Sequence, residues 1–254
     1  MKQGLYVINE NTLIADKTFR LVLQGDTSSL SEGRYAGSLP VGGQFAGIAL
    51  QGRFLRRPLA VTKWDDKTMT LIYKVVGQGT EQLSKMRCGE SLDVLTALGN
   101  GFDATACKEA AIIVCGGIGA SPVYTLCSSL IASGRKVTVV MGFNTASEIV
   151  LEDDFRAMGA DVHVATMDGS YGYKGLVTEL IAYLAPEYDH FFTCGPKVMM
   201  KAVCEALPTS GQASLEERMG CGCGICYGCT CNTKEGPRRI CADGPVFYKE
   251  NIIW

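Results

Sequence analysis

Between Tyr6 and about Asp103 the apolar residues come in short runs, often alternating with polar ones and separated by Gly and polar turns. A period of two puts one face of a strand inside and one outside. This pattern predicts strands over 18–24, 44–50, 58–62, 68–76 and 91–95, with a short helix opening at Gly77 and running through Met86. Strand following strand with little helix predicts a small antiparallel barrel. From about Ala104 the rhythm changes. Apolar runs fit for buried parallel strands at 110–115, 136–141, 160–165 and 190–193 alternate with helical spacing at 122–132, 147–158, 176–184 and 196–207. Such alternation predicts a doubly wound α/β domain. From about Ala213 both signals fade. The chain therefore reads as a multi-domain β plus α/β protein with boundaries at 1–103, 104–212 and 213–254.

Composition narrows the partners. The chain has 254 residues, 47% apolar and 20% charged, enough to bury a core. With 24 Lys+Arg against 26 Asp+Glu it has no field to hold a polyanion, so nucleic acid is not expected as a partner. No apolar run reaches the roughly 18 residues of a membrane helix. The start, from Met1 to Glu10, lacks a long apolar segment, so no export signal is expected and the expected compartment is the reducing cytoplasm. The last block is too short to bury a core of its own and needs a staple.

The 12 cysteines suggest what that staple is. Cys88, Cys107, Cys115, Cys127, Cys194 and Cys204 are scattered, mostly among apolar neighbours, and read by default as small buried hydrophobes. The rest crowd between Cys221 and Cys241. Cys221, Cys226, Cys229 and Cys241 form C-x4-C-x2-C-x11-C, whose first three members have the plant-type [2Fe–2S] spacing. Iron bridged by sulfide takes soft, negative thiolates, and three ligands in one loop need the freedom that Gly220, Gly222, Gly224 and Gly228 provide. A structural zinc site is the alternative, but it usually shows two C-x2-C pairs and only one is present. Cys223 and Cys231 are left over, and Cys223 competes as a ligand.

Two turns carry a second chemistry. Gly116, Gly117 and Gly119 lie between the first α/β strand and its helix, with Ser121 placed to cap that helix and Pro122 to sit in its first turn. Amides at such a start favour a pyrophosphate. Pro122 stands where the third glycine of G-x-G-x-x-G belongs, so a plain strand-to-helix turn is the alternative. Thr193-Cys194-Gly195-Pro196 is a second turn of the same kind, and the two together outline a nucleotide crevice. No Arg cluster follows Phe143-Asn144, which favours NAD over NADP. In the barrel, Arg56 and Arg57 are either a solvated basic edge or a clamp on a flavin pyrophosphate, with Gly79-Thr80 cradling the same phosphates. His163 and His190 have no partner spacing and read as structural. No Ser-His-Asp set or paired carboxylates stand out.

Arg57-Pro58-Leu59-Ala60, Ile72-Tyr73-Lys74, Gly79-Thr80, the 116–122 turn and Cys194-Gly195-Pro196 together resemble the ferredoxin–NADP reductase superfamily. The tail, with Met219-Gly220-Cys221, Cys226-Tyr227-Gly228-Cys229-Thr230-Cys231 and Cys241-Ala242-Asp243-Gly244-Pro245, is similar to the electron-transfer subunits of NAD-dependent class 1B dihydroorotate dehydrogenases. The resemblance runs from about Gln44 to Phe247. It implies an FAD-binding barrel, an NAD-binding domain and a C-terminal [2Fe–2S] domain. It places FAD against Arg57, Pro58, Leu59, Ala60, Ile72, Tyr73, Lys74, Gly79 and Thr80, and the cluster on Cys221, Cys226, Cys229 and Cys241. Ala60 stands where that family usually has a Ser that bonds the flavin ring, and Cys223 where it usually has an aliphatic residue.

The resemblance also implies a partner, an FMN-containing catalytic subunit that oxidises dihydroorotate to orotate in pyrimidine synthesis, in a heterotetramer of two copies of each chain. Electrons would pass through the cluster and FAD to NAD+. A separate expectation is that Cys194 lies beside the nicotinamide and the flavin ring. Two rivals stay open. One is a related flavin and iron–sulfur subunit, such as that of a ferredoxin-dependent NADP transhydrogenase or a sulfide-type reductase; the transhydrogenase subunit typically has Asp at one ligand position, where this chain has Cys throughout. The other is a zinc-stapled nucleotide-binding regulator with no redox role.

Overall fold

In the computed structural model, which describes residues 1–31 and 42–254, the alternating segments close into a barrel. Its strands are β1 (Lys2–Ala15), β2 (Thr18–Gln24), β3 (Phe45–Ile48), β4 (Arg57–Trp64), β5 (Thr68–Lys74) and β6 (Ser91–Leu98), with α1 (Gln78–Ser84) between the last two. All pairings are antiparallel, in the order β1-β2-β5-β4-β3-β6. The period-two residues point inward: Leu21 and Leu23, Met69, Leu71 and Tyr73, Leu92 and Val94. The longest strand, β1, is absent from the sequence expectation. Its fully buried residues are Tyr6 and Ile8 alone, so its alternation is faint.

The second half contains β7 (Ala110–Gly116), α2 (Ala120–Ala132), β8 (Lys136–Phe143), α3 (Glu152–Ala157), β9 (Asp161–Thr166), β10 (Tyr173–Lys174), α4 (Val177–Leu184), β11 (His190–Cys194), α5 (Lys197–Ala206) and β12 (Gly211–Ser214). Strands β7, β8, β9 and β11 carry near-continuous apolar runs because helices cover both faces of a parallel sheet. In the tail, β13 (Thr230–Thr233) and β14 (Gly236–Arg239) form a hairpin, and β15 (Val246–Tyr248) pairs antiparallel with β12. The full sheet order is β10-β9-β8-β7-β11-β12-β15. The order reverses between β7 and β11, which makes the crevice above their carboxyl ends the natural ligand position. No helix among the described residues is long and apolar enough to cross a membrane.

Three expectations are corrected. The helix predicted over 147–158 is split into a 3-10 turn at Ala146–Glu148 and α3, with Leu151 left-handed at φ 64° between them. The cause is packing, since Val150 is buried in the sheet core with Ile149 and Leu151 against it. Ser121 does not cap α2. The helix begins at Ala120, and the Ser121 hydroxyl shares a hydrogen bond of 2.7 Å with Thr62 on β4. The tail holds three short strands, silent in sequence because Gly-Pro-Arg-Arg of β14 has no apolar alternation.

The two halves are tied by buried contacts. The Thr125 hydroxyl donates to the Thr62 carbonyl (2.6 Å), and a Cβ on Gly42 would lie 2.3 Å from the Pro122 carbonyl oxygen. Beyond the barrel, the Asp103 amide donates to Gln212 Oε1 (2.8 Å) and the Tyr248 hydroxyl to Asp103 Oδ2 (3.0 Å). Gln212 also contacts the buried His190 ring (3.2 Å), in keeping with a structural histidine.

Candidate functional site

The four spaced thiols come together as two pairs. Cys229 and Cys241 place their sulfurs 3.2 Å apart. The Cys221 and Cys226 amides each donate to the other's sulfur, both at 3.4 Å. Cys221 Sγ also accepts from the Cys223 (3.5 Å) and Ile225 (3.3 Å) amides, Cys226 Sγ from Gly228 (3.4 Å), Cys241 Sγ from Gly224 (3.1 Å) and Cys229 Sγ from Cys241 (3.4 Å). Amides aimed at sulfur stabilise thiolate. Burial alone raises the Cys221 thiol, but the Cys223, Cys226 and Ile225 amides and the Cys226 thiol bring it down to about 6. Burial and the adjacent Cys229 thiol push Cys241 up.

Among the described residues no three His, Cys, Asp or Glu side chains converge as a single ion requires. Two thiol pairs suit two irons, each taking two cysteines, better than one tetrahedral zinc. The residues present therefore fit a [2Fe–2S] centre. Cys223 lends its amide to this set, and burial, with the Cys221 thiol beside it, raises its own thiol.

The cluster loop rests on the barrel. Cys229 and Cys241 are buried with Phe45 and Leu98, and a small cleft between loop and barrel is lined by Arg56, Pro58 and Gly47 on one side and Met219 to Gly222 on the other. Arg56 is not free to clamp a phosphate: it donates to the Gly47 carbonyl (3.3 Å), the Asp93 carbonyl (2.9 Å) and the Asp93 carboxylate (2.9 Å). Arg57 is the available cation. Its Nη1 donates to the Leu55 carbonyl (2.8 Å), and a Cβ on Gly79 would lie 2.1 Å from its Nε. Glycine at 79 thus lets Arg57 lie against the start of α1, where the Thr80 hydroxyl also accepts from the Val76 (3.0 Å) and Gly77 (3.2 Å) amides. This cradle fits a flavin pyrophosphate.

Other predicted flavin residues are placed with restrictions. Tyr73 points into the barrel core, stacked on Phe19 with its hydroxyl on Asn11 (3.0 Å), so only its backbone faces outward. Lys74 reaches Glu148 of the α/β half at 2.8 Å, and that ammonium holds the Glu148 carboxyl below its usual range. Pro58 lines the cleft, Ile72 is buried, and Leu59 and Ala60 pair with Ala46 and Phe45.

The two glycine turns meet. β7 and β11 run side by side with Cys194 opposite Cys115. A Cβ on Gly119 would lie 2.2 Å from the Cys194 carbonyl oxygen, and one on Gly195 would lie 2.8 Å from the Gly116 amide nitrogen. Gly117, at φ 53°, and Gly195, at φ 152°, adopt conformations that suit glycine. Pro196 precedes α5 and packs near Gly116. Cys194 is half-buried at this junction, its thiol pushed up to about 12 by burial, so it is neutral at physiological pH.

Several residues of the site carry no sequence signal. Phe45, Gly47 and Leu98 meet only through barrel closure. Arg239 and Asp243 lie among the last cysteines, but their ion pair (3.0 Å) is invisible without the turn that joins them.

Residues 216–253, which include all four paired thiols, match the iron–sulfur cluster binding domain of dihydroorotate dehydrogenase B, and residues 113–205 match the oxidoreductase NAD-binding domain. The dihydroorotate dehydrogenase B (NAD(+)) electron transfer subunit of Fusobacterium nucleatum is 35% identical over 96% of this chain and 96% of its own length. The protein of the same description from Listeria monocytogenes is 38% identical over 99% of each chain. Among solved structures, the NADH-dependent reduced ferredoxin-NADP oxidoreductase, described for flavin-based electron bifurcation, superposes with a TM-score of 0.86 at 28% identity over 99% of this chain and 90% of the other. Phthalate dioxygenase reductase shares the fold, with a TM-score of 0.64 at 15% identity over 91% of this chain and 87% of its own.

Proposed function

The chain belongs to the family of dihydroorotate dehydrogenase B electron transfer subunits, and from that premise we propose that it carries electrons from the FMN of a dihydroorotate-oxidising catalytic subunit, through a [2Fe–2S] cluster and FAD, to NAD+ in pyrimidine synthesis. When bound, the cluster supplies one-electron transfer, NAD+ takes two electrons as hydride, and a flavin works in both modes. The observation that carries the reading is the two thiol pairs, surrounded by sulfur-directed amides and seated against barrel strands β3 and β6.

In this reading the Cys221–Cys226 and Cys229–Cys241 thiol pairs would hold the two-iron centre. Arg57 and the 79–80 peptides would bind the FAD pyrophosphate, while Pro58, Leu59, Ala60, Ile72 and the backbones of Tyr73 and Lys74 would bound the rest of the flavin. Gly116, Gly117, Gly119, Gly195 and Pro196 form the floor of the NAD crevice. The stretch after β8, from Phe143-Asn144, carries no Arg cluster to take a 2′-phosphate, which favours NAD. The catalytic partner is a separate subunit, and two copies of each chain would make the complex. The reading is tested by co-purifying the chain with its partner and assaying NAD+ reduction by dihydroorotate. Reduction only by another donor, such as ferredoxin, selects the second reading, favoured by the superposition on the ferredoxin-NADP oxidoreductase.

Cys194 is assigned a place beside the nicotinamide as a neutral thiol that packs against the ring and orients it. Cys194→Ala is expected to slow hydride transfer between NADH and the flavin by about tenfold, roughly 1.4 kcal/mol, with KM for NADH little changed. Stopped-flow bleaching of the flavin measures it, and an unaltered rate removes the role.

A further inference from the structure

Arg239 closes β14 two residues before Cys241, and its contacts reach both ends of the thiol set. Its Nη1 donates to the Gly224 carbonyl (2.7 Å), while the Gly224 amide donates to Cys241 Sγ (3.1 Å). One residue of the ligand loop is therefore held from both sides. The approach is close: a Cβ on Gly224 would lie 2.7 Å from Ala242 Cβ and 3.4 Å from Arg239 Nη1, and Gly224 itself is left-handed at φ 87°. The guanidinium also lies 4.9 Å from the ring centroid of Tyr227, a non-glycine residue at φ 57° inside the same loop. Asp243 fixes the fork in place, accepting from Nε (3.0 Å), from Nη2 (3.2 Å) and from the Arg239 amide (2.8 Å). The Arg239 carbonyl in turn accepts from the amides of Ala242 (3.1 Å), Asp243 (2.7 Å) and Gly244 (3.3 Å), which shapes the turn around Cys241.

Resting on the cluster assignment above, we propose that Arg239 is a positioning residue for the iron–sulfur centre, which locks the 221–229 loop onto Cys241 and, with Asp243, sets the cluster's reduction potential. A planar fork can address the Gly224 carbonyl, the Asp243 carboxylate and the Tyr227 face at once, whereas a lysine ammonium cannot. The charge acts separately from the geometry. Reduction adds one negative charge to the centre. A neighbouring cation favours that state and a neighbouring carboxylate opposes it. The pair is partly exposed, 28% and 27% for the two side chains, so each charge acts through partial screening.

The test is a redox titration of the isolated holo-subunit followed by the paramagnetic signal of the reduced cluster, together with iron content after gel filtration. Arg239→Gln is expected to lower the midpoint by about tenfold in the one-electron equilibrium, ~59 mV. Asp243→Asn is expected to raise it by a similar factor. Arg239→Lys keeps the charge, so its midpoint stays near the parent's while iron is lost more readily. Opposite signs for the two neutralising variants support the proposal, since simple damage to the loop would move both the same way. Shifts of one sign, or midpoints equal to the parent's in both, overturn it. If Arg239→Gln does not retain iron, the decision passes to the other two: a raised midpoint in Asp243→Asn with readier iron loss in Arg239→Lys supports the proposal, and absence of either overturns it. A parent protein without iron fails at the underlying assignment instead, and the two failures are thereby distinguished.

Discussion

Cys229→Ala is expected to abolish iron binding and to cut dihydroorotate-dependent NAD+ reduction in the complex to background. Cys229 is 2% exposed, lies 3.2 Å sulfur-to-sulfur from Cys241 and accepts the Cys241 amide. Losing a mere outer-shell partner costs about 10–100-fold in metal affinity or activity, so loss of a ligand is expected to exceed about 100-fold. The barrel and the α/β half should keep their fold, because their cores do not include Cys229, and β15 still pairs with β12. The flavin end of the chain should survive as well. NADH oxidation by an artificial acceptor that takes electrons from the flavin is therefore expected to persist at near-parent rate. Iron and acid-labile sulfide analysis, run beside the two assays, checks the result. Equal loss of both activities would mean that the cysteine supports the whole chain and not one end of an electron path.

The second large effect is expected at the meeting of the two glycine turns. Gly119→Val places a branched side chain where a Cβ already lies 2.2 Å from the Cys194 carbonyl oxygen and 2.8 Å from the Gly195 amide nitrogen. Both obstacles are backbone, and neither can rotate away. Overpacking of this kind costs typically 1–3 kcal/mol. Expressed at the crevice floor, that is about 5–150-fold in KM for the nicotinamide nucleotide. FAD should remain bound with its visible spectrum unchanged, since Arg57 on β4 and Gly79 on α1 lie outside the altered turn. Gly117→Ala is the matched control. That position has φ 53° but nothing within 4 Å of an added Cβ, so it strains the turn without obstructing its neighbour. A KM in Gly119→Val equal to the parent's would remove the turn from the nucleotide site.

The parts legible in the sequence were those with a local cause. The run Ile112-Ile113-Val114 is buried because helices cover both sides of its strand, and Leu21, Leu23, Met69 and Leu71 alternate because one barrel face is dry. The C-x4-C-x2-C loop could be read because three ligands on one loop need fixed spacing and glycine between them. What stayed hidden depends on chain closure. Strand β1 earns its place by pairing with β2 and β6, not by its own pattern. Ser121 looked like a helix cap and instead bonds Thr62, 59 residues away. Arg56 and Arg57 are adjacent and alike in sequence, yet Asp93 engages one and the other lies over Gly79. No local signal separates them, because Asp93 is brought to Arg56 only by the barrel.

The most direct test of the account is low-temperature paramagnetic resonance of the anaerobically isolated chain after reduction by dithionite. Two irons per chain and a rhombic signal from one reduced [2Fe–2S] centre are expected, both lost in Cys229→Ala. A folded, flavin-loaded chain that carries zinc, or no metal, and gives no signal would contradict it.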